Sequence, residues 1–407
     1  MYTGPKLENE DLEFGYDTGR GVLSNHVSSR FYPGEPTVNY VTDSPTGGGW
    51  GGGHDVIDSA TKTFKFKVQN FTANPGSGWR SFTWDMTSHA GSAVTISATF
   101  EYAGPVGQMA FVYIGQGNTY TNNSGAGGYL GYSPASDRTS KTTETKERIS
   151  WSGTIGSGGS ANQPSGHIGI TVWINNGVPA GNGNYDSYIV MSNIQIEKKA
   201  HATPFVNGTR SSTQGLIDLK RTASIDLSDV SFDSNGLVEF DGTDDDISLN
   251  NASSPTANMV SVELVAKFDS LPASNSYMSV FQKQANWNNA GGVMMQFIYN
   301  GFRWSYGNAW TGAVTYAQSN FTTGKYYHIV GTVLDVNGND AKLYINGEQV
   351  GSTGTGSTPN TTSNLTIGLG NGGRLNGNID VFKMYSQTLS ADQIKQNYNA
   401  YKNRFNI

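Results

Sequence analysis

The stretch LNGNIDVFKMYSQTLSADQIKQNYNAYKNRF, residues Leu375–Phe405, decides the fold class of the last part of this chain. Its first half alternates apolar and polar residues, which is the pattern of a β-strand with one buried face. The polar face also contains Phe382 and Met384. The strand is therefore predicted to be central in its sheet and covered on both sides.

The second half of the same stretch reads as a short capped helix. Ser390 stands at the N-cap and Gln393 three residues later, which is the capping-box pattern. Ile394, Tyr398 and Tyr401 fall on one side of the helix at i, i+4 and i+7. Such an apolar stripe predicts a helix that packs on a sheet and closes the end of a β-sandwich.

Composition agrees with a chain of many short strands. The 407 residues include 52 glycines, and only 14% of them are charged. Aromatic residues make up 12%, enough to build a core and to argue against disorder. The net charge is −6 and the sequence has no basic stripe, so a nucleic-acid-binding surface is not expected. No cysteine is present, which excludes disulfides, thiol catalysis and cysteine zinc sites.

Two strand-rich blocks follow each other along the chain. The first contains TKTFKFKVQN, AVTISATFEY and HIGITVWIN, and the second contains SVELVAKFD, VMMQFIYNGFRWSYG, YYHIVGTVLD and AKLYINGEQVGS. Period-two alternation between turn-forming clusters predicts antiparallel strands. Asn346-Gly347 and Asn300-Gly301 are predicted to form the turns of two β-hairpins.

These blocks give an all-β fold class, with two antiparallel β-sandwich (jelly-roll) domains in tandem. Residues 1–45 hold few strand signals and are predicted to be an extended N-terminal arm that docks on another protein. Residues 46–199 form the first jelly roll, 200–231 a connector and 232–407 the second jelly roll, which ends on the short helix. No apolar run is long enough to span a membrane.

The C-terminal block resembles the concanavalin A-like, laminin G-like jelly-roll domains. The resemblance rests on FDGTDDDISL, YYHIVGTVLD, AKLYINGEQVGS and the final stretch, and it covers roughly residues 232–405. The strand-to-helix ending is similar to that of the versions found in bacterial and tailed-phage proteins. The terminal helix is thus expected as a trait of this family.

The N-terminal block is similar to carbohydrate-binding-module-like jelly rolls. SNIQIEKKAHATPFVNGTRS resembles their closing strand, and GEPTVNY resembles a segment that precedes it in phage virion proteins. Tailed phages place such a domain directly before a laminin G-like one. The resemblance therefore implies a virion structural protein, and the first residues do not show the pattern of a signal peptide. The implied location is the virion surface, outside the cell after host lysis.

The acidic cluster DGTDDD is the candidate metal site. Calcium prefers several carboxylate oxygens in one place, and laminin G-like domains often carry a calcium ion at the rim of the sandwich. Asp241, Asp244 and Asp246 are the predicted ligands, with Asn376 and Asp380 as the best-placed partners from elsewhere. The alternative is a solvated turn in which Asp241 and Gly242 only shape the backbone.

Tryptophan and asparagine in loops are the candidate glycan contacts. Sugar rings stack on indole through their C–H faces, and amides bond to hydroxyls. WNNAGG and GNAWTG predict contacts from Trp287, Asn288, Asn308 and Trp310. The alternative is that tryptophans fill cores, which is the prediction for Trp173 and Trp304 because both lie inside strand patterns.

A glycosidase carboxylate set is the remaining chemical alternative. Glu239, Asp241 and Asp244 approach the E-x-D-x-x-E pattern of concanavalin A-like glucanases, but Gly242-Thr243 interrupts the strand and the final Glu is absent. A retaining glycosidase needs two carboxyl groups close across the sugar. No enzymatic activity is predicted.

The sequence thus predicts a non-enzymatic structural protein on the exterior of a phage particle, either a head decoration or a tail or neck fibre component. Its expected partners are other virion proteins, through residues 1–45, and cell-surface polysaccharide. The alternative is a secreted bacterial glycan-binding or glycan-cleaving protein. No heptad repeat enforces an oligomer, so a homo-oligomer is left open.

Overall fold

A computed structural model describes residue 7 and residues 10–19, 32–47, 49–50, 53–68, 78–105, 109–116, 119–121, 129–131, 141–156, 165–175, 187–234, 236–249, 259–283, 292–307, 312–359, 363–370 and 372–407. The chain divides into two compact units. The N-terminal unit is Thr37–Arg210, and the C-terminal unit is Ser211–Ile407 together with Met1–Pro36. No helix among the described residues has the length and apolar character needed to cross a bilayer.

Strands are numbered along the chain, and the first, β1 (Leu12–Asp17), belongs to the C-terminal unit. Those of the N-terminal unit are β2 (Thr37–Val38), β3 (Gly49–Trp50), β4 (Gly53–Asp58), β5 (Thr63–Val68), β6 (Gly78–Asp85), β7 (Ala93–Pro105), β8 (Met109–Gln116), β9 (Thr119–Thr121), β10 (Tyr129–Gly131), β11 (Lys141–Thr154), β12 (His167–Asn175), β13 (Ser187–Glu197) and β14 (Thr209–Arg210).

The N-terminal unit is a sandwich of two antiparallel sheets. One sheet has the order β10-β8-β12-β6-β3, with β9 also on β8, and the other has the order β11-β7-β13-β5-β4. Alternate residues of both sheets meet in one core, which includes Phe66, Phe100 and Ile170. The period-two pattern in the sequence thus corresponds to strands that bury one face.

The C-terminal unit contains the remaining strands and the terminal helix. They are β15 (Ser231–Phe232), β16 (Val238–Asp241), β17 (Ile247–Leu249), β18 (Ser261–Phe268), β19 (Tyr277–Lys283), β20 (Val293–Ile298), β21 (Gly301–Tyr306), β22 (Val314–Ala317), β23 (Tyr326–Thr332), β24 (Ala341–Ile345), β25 (Glu348–Gly354), β26 (Leu365–Ile367), β27 (Leu369–Gly370), β28 (Gly373–Arg374), β29 (Asn376–Tyr385) and α1 (Ala391–Phe405).

Two antiparallel sheets form this second sandwich as well. The order β15-β16-β29-β18-β23-β24-β25 gives the larger sheet, and β17-β26-β19-β20-β21-β22 gives the other. Their inner faces build an aromatic core around Phe268, Phe297 and Phe302. The all-β architecture and the tandem of two sandwiches therefore follow the prediction.

The end of the chain also follows the prediction closely. Strand β29 is buried on both faces from Gly377 onward. Ser390 caps α1, and the reciprocal hydrogen bonds of a capping box with Gln393 are both present. The buried stripe of the helix consists of Ile394, Asn397, Tyr401 and Phe405. It differs from the predicted stripe at one position, because Tyr398 is only partly buried.

The N-terminal segment differs from the predicted extended arm. Strand β1 pairs antiparallel with β29, beside the place where β16 pairs with the start of the same strand. Phe14 and Tyr16 are completely buried there. The cause is visible in LEFGYD, where Leu12, Phe14 and Tyr16 alternate at period two over a length too short to stand out. Docking on another virion protein stays a prediction.

The segment between the sandwiches also differs from a separate connector. The unit boundary lies between Arg210 and Ser211, within the predicted connector. Leu216, Ile225 and Leu227 are buried in the core of the C-terminal unit. In the sequence, polar turn residues surround these three apolar residues, so no regular apolar pattern predicted that they belong to a core.

One of the two predicted hairpin turns is confirmed, and the position of the other was predicted wrongly. Asn346 and Gly347 have φ of 52° and 79° between β24 and β25, as expected for a type I′ turn. The other turn lies one residue earlier than predicted. Ile298 pairs with Gly301, so the central residues are Tyr299 and Asn300, with φ of 51° and 63°.

Candidate functional site

The four residues predicted to contact glycans lie outside the described part of the structure. Trp287 and Asn288 fall between β19 and β20, and Asn308 and Trp310 between β21 and β22. Their role stays a prediction. Trp304, predicted to pack, is completely buried and donates a hydrogen bond from Nε1 to the Thr332 carbonyl at 3.2 Å.

The acidic loop after β16 brings three carboxylates together. Oxygen atoms of Asp241, Asp244 and Asp245 all lie within 4.8 Å of one another. Asp241 and Asp244 are exposed, whereas Asp245 is buried. Glycine is needed beside them, because Gly242 has φ of 81° and a Cβ there would lie 3.1 Å from the Cβ of Asn376.

Asp245 holds the loop in shape. Its Oδ1 accepts the Ser231 backbone N–H at 2.8 Å, and its Oδ2 accepts the Asp241 N–H at 2.6 Å. Burial raises the pKa of Asp245, and the charge of Asp241 adds to the rise, while the backbone donors oppose it. This carboxylate therefore has a structural task that the sequence did not assign to it.

Asp246 and Asp380, by contrast, do not join the group. Asp246 accepts a hydrogen bond from Ser248 at 2.6 Å and forms an ion pair with Arg374 at 3.4 Å. Asp380 is buried and accepts hydrogen bonds from Thr18 and Tyr326. Of the predicted calcium ligands, the structure assembles Asp241 and Asp244, with Asp245 as the third.

The donor set of this loop fits a hard divalent cation. It offers only carboxylate oxygens, and a cation beside Asp245 would favour its ionised form. Asp241 and Asp244 would hold calcium from the solvent side, with water completing the shell. Calcium binding at this rim stays a prediction.

A row of aromatic residues crosses the outer face of one sheet in the N-terminal unit. Trp79 on β6 lies directly opposite Trp173 on β12, and Trp173 lies opposite Phe111 on β8. All three side chains are partly exposed, and the Phe111 and Trp173 rings are 5.7 Å apart. We call these three residues the aromatic row. In the backbone register, Trp50 on β3 is opposite Trp79, and Tyr129 on β10 is opposite Phe111.

Hydroxyl groups flank the aromatic row on the same face. Ser81, Thr171 and Tyr113 are opposite one another, two positions further along the same three strands. The Ser81 and Thr171 hydroxyls are hydrogen-bonded to each other at 2.7 Å. Within the described part of the chain, the buried Nε1 of Trp173 has no hydrogen-bond partner. The face therefore combines flat apolar rings with neutral polar groups.

Sequence reasoning assigned Trp173 to packing, and the structure places it on the opposite face. The signal was present in HIGITVWIN. Ile168, Ile170, Val172 and Ile174 are buried, so the residue between the last two must point outward. What the sequence could not supply is the register that aligns Trp173 with Trp79 and Phe111.

Residues 241–395 match the sequence model of the family described as the concanavalin A-like lectin/glucanases superfamily, under the name laminin G 3. The C-terminal unit therefore contains a laminin G-like domain. The match begins at Asp241, in the acidic loop, and ends inside α1. The lectin-like fold expected for this laminin G-like domain is confirmed.

Solved structures also match this chain, at low sequence identity and low TM-score. The receptor-binding domain of botulinum neurotoxin type G is 17% identical, with a TM-score of 0.35, over 46% of this chain and 48% of that one. Trypanosoma rangeli sialidase with the inhibitor DANA is 16% identical, with a TM-score of 0.36, over 46% and 31%. Domain 4 of the Geobacillus stearothermophilus arabinanase AbnA, with arabinotriose, is 18% identical, with a TM-score of 0.28, over 42% and 80%.

The matched part of this chain spans less than half the length of the neurotoxin domain and of the sialidase. No curated protein matches the sequence.

Proposed function

We propose that this chain is a non-enzymatic adhesion protein that binds cell-surface polysaccharide from the exterior of a phage particle. The observation that carries the adhesive role is the aromatic row of Trp79, Trp173 and Phe111. Adjacent strands lie about 4.8 Å apart, so three rings follow each other across about 10 Å of sheet. Rings at such intervals can stack successive sugar residues, while the hydroxyls beside them bond to the ligand.

The chemistry of the face favours a neutral glycan chain. Its partly exposed polar members Thr171 and Tyr113 carry hydroxyl groups, which suit sugar hydroxyl groups as partners, while Ser81 is buried beside Thr171. The laminin G-like domain supports the same class of function through its lectin-like fold.

A binding role accounts for the acidic residues better than catalysis does. Asp241 accepts the Thr243 backbone N–H at 2.6 Å, and Asp245 accepts two further backbone N–H groups. Carboxylates engaged in this way shape the loop. Glu239 and Asp241 lie two residues apart on β16, so their side chains share a face, as those of any two acids at this spacing on a strand would.

The placement on a virion, as a head decoration or a tail or neck fibre component, rests on the sequence resemblance. The tandem of a carbohydrate-binding-module-like jelly roll and a laminin G-like domain supports it. The PTVN and ATPF segments that carry part of the resemblance are joined in the structure by hydrogen bonds of Thr37 and Thr203 to Glu197. Mass spectrometry of purified particles tests this placement directly.

A polysaccharide microarray tests the adhesive role. The probes are bacterial lipopolysaccharides and capsular polysaccharides, and the proteins are the wild type and W79A/W173A. We expect the double variant to bind at least about tenfold more weakly, because each lost stacking contact removes on the order of 1 kcal/mol. Y188A is the matched control, since Tyr188 is a partly exposed aromatic on the other sheet of the same unit, over Lys65. Equal binding by W79A/W173A and wild type would overturn the assignment of the row.

A further inference from the structure

The hairpin between β20 and β21 has a tyrosine where the backbone favours glycine. Tyr299 is the first central residue of the type I′ turn, with φ of 51°. Bulky residues rarely adopt this left-handed conformation, and such strain persists only where the surrounding structure fixes it. The turn would form with less strain if position 299 were Gly or Asn. A tyrosine here is therefore not a residue that the turn itself favours.

Tyr299 forms an exposed pair with Tyr277, the first residue of β19. Tyr299 is 51% exposed and Tyr277 is 37% exposed. Their ring centroids are 5.5 Å apart at an interplanar angle of 67°, and the Tyr277 hydroxyl donates to the Tyr299 hydroxyl at 2.9 Å. The two rings thus form a corner that faces solvent, held by its own hydrogen bond.

The groups around this corner are polar or lack side chains. Gly372 lies against Tyr277, since a Cβ on it would be 2.6 Å from the tyrosine Cβ and 3.4 Å from Gln296 Oε1. Gln296 and Arg303 are opposite each other on the same sheet. Burial lowers the pKa of Arg303, and the two tyrosines oppose that effect.

We propose that Tyr277 and Tyr299 form a second glycan contact, which takes one saccharide residue at the corner of the two rings. The inference rests on the proposed adhesive function and adds a site on the laminin G-like domain. One ring would stack on the apolar face of the sugar, and the other would meet its edge. Gln296 and Arg303 would bond to its hydroxyls.

The size of the apolar surface argues for a sugar over a protein partner. A stable protein interface buries about 800 Å² on each side. Among the described residues, the exposed apolar surface at this corner consists of two rings, with Gln296, Arg303 and Gly372 nearby. A single saccharide residue covers a corner of this size and offers the hydroxyls that the polar border needs.

The test uses full-length wild type, Y299G and Y299F on the same lipopolysaccharide and capsular-polysaccharide microarray, with melting temperatures measured in parallel. We expect Y299G to bind about tenfold more weakly while its melting temperature stays equal or rises, because glycine accepts this φ. Y299F keeps the ring and is expected to bind like the wild type. A purely structural Tyr299 would give the opposite pattern for Y299G, with a lower melting temperature and unchanged binding.

The outcomes separate this inference from the proposed function. If Y299G binds like the wild type while W79A/W173A loses binding, the tyrosine corner is overturned and the adhesive role stands. If Y299G loses binding and W79A/W173A does not, the corner is supported and the aromatic row is overturned. If the wild type binds no probe, both assignments are overturned. Protection of Tyr299 from acetylation by a bound polysaccharide, mapped by mass spectrometry, is expected in addition.

Discussion

The hydroxyl of Thr37 donates a 2.9 Å hydrogen bond to Glu197 Oε2, although 160 residues separate the two along the chain. Glu197 is completely buried and also accepts from Gln195 Nε2 at 2.9 Å and from the Thr203 N–H at 2.8 Å. The PTVN segment before β3 and the ATPF segment after β13 are therefore parts of one network. This network closes the N-terminal unit where the chain enters and leaves it.

Substitution of Glu197 by Gln is expected to destabilise the N-terminal unit by about 2–3 kcal/mol. The amide would turn an NH₂ group toward donors and leave at least one buried group without a partner. Urea unfolding of the full chain measures the loss. Glu101→Gln is the control, because Glu101 is partly exposed on the same unit, and its expected effect is within about 0.5 kcal/mol. Equal effects of the two substitutions would show that the hydrogen bonds of Glu197 add no more to the free energy of unfolding than an exposed carboxylate does.

The sequence predicted the parts of the fold that depend on local pattern. The capping box of Ser390 and Gln393, the buried strand β29 and the Asn346-Gly347 turn all lie within a few residues of their signals. The parts it missed depend on pairing between distant strands. Phe14 joins β29 across most of the chain, and Trp173 aligns with Trp79 only through strand register, which no local pattern encodes.

The same distinction holds for the candidate site. The run of acidic residues predicted a cluster of carboxylates. Which residues form it depends on the folded loop, where Asp245 lies with Asp241 and Asp244 while Asp246 forms an ion pair with Arg374. The turn at Tyr299 was displaced by one residue, because the Asn-Gly pair is a strong signal and the register is set by Ile298 and Gly301. That single step places a tyrosine in the strained position.

Glu263 makes the stability of the C-terminal unit depend on pH. It is completely buried and accepts hydrogen bonds from His328 Nε2 at 2.8 Å, Asn397 Nδ2 at 2.8 Å and the Tyr385 hydroxyl at 2.6 Å. Burial opposes its ionisation, but the His328 hydrogen bond, the charge of Lys383 and the other contacts outweigh burial and lower the pKa from 4.5 to about 2.

Because the pKa of Glu263 is depressed in the folded state, its contribution is complete above pH 4.5 and is lost as the pH falls toward 2. We expect a loss of about 3 kcal/mol across this window. Urea unfolding at several pH values measures it as the difference between wild type and E263Q. Glu348→Gln is the control, since the Glu348 side chain is 72% exposed. A difference between wild type and E263Q that stays constant from pH 6 to pH 2 would contradict the assigned pKa.

Calcium at the acidic rim gives a third prediction. Asp244 is exposed and lies with Asp241 and Asp245, so D244N removes one carboxylate while Asp245 still holds the backbone. We expect isothermal titration with calcium chloride to show binding to the wild type and at least about tenfold weaker binding to D244N. D246N is the matched control, because Asp246 is engaged with Arg374 outside the group. No heat from the wild type would leave the loop as a solvated turn.

Strand β1 gives the last prediction, because it decides whether the N-terminus is an arm or a part of the sheet. Phe14 is completely buried, and its ring centroid lies 6.2 Å from that of Phe382 on β29. Beside it, the Tyr16 ring stacks on Phe382 at 6.1 Å, and Arg404 of α1 donates to Asp17 at 2.6 Å. Removal of β1 would expose both the edge of β29 and this cluster.

Phe14→Ala is therefore expected to destabilise the C-terminal unit by about 3–5 kcal/mol, the cost of a buried aromatic truncation. Glu13→Ala, next to it on the exposed face of β1, is expected to cost within about 0.5 kcal/mol. Urea unfolding and protease sensitivity of the two full-length variants measure the difference. If F14A is as stable as E13A, β1 contributes nothing to the sheet, and residues 1–45 behave as the free docking arm. If F14A is destabilised as expected, a deletion of residues 1–45 would unfold part of the laminin G-like domain. Particle incorporation then has to be tested with point substitutions on exposed positions such as Glu13.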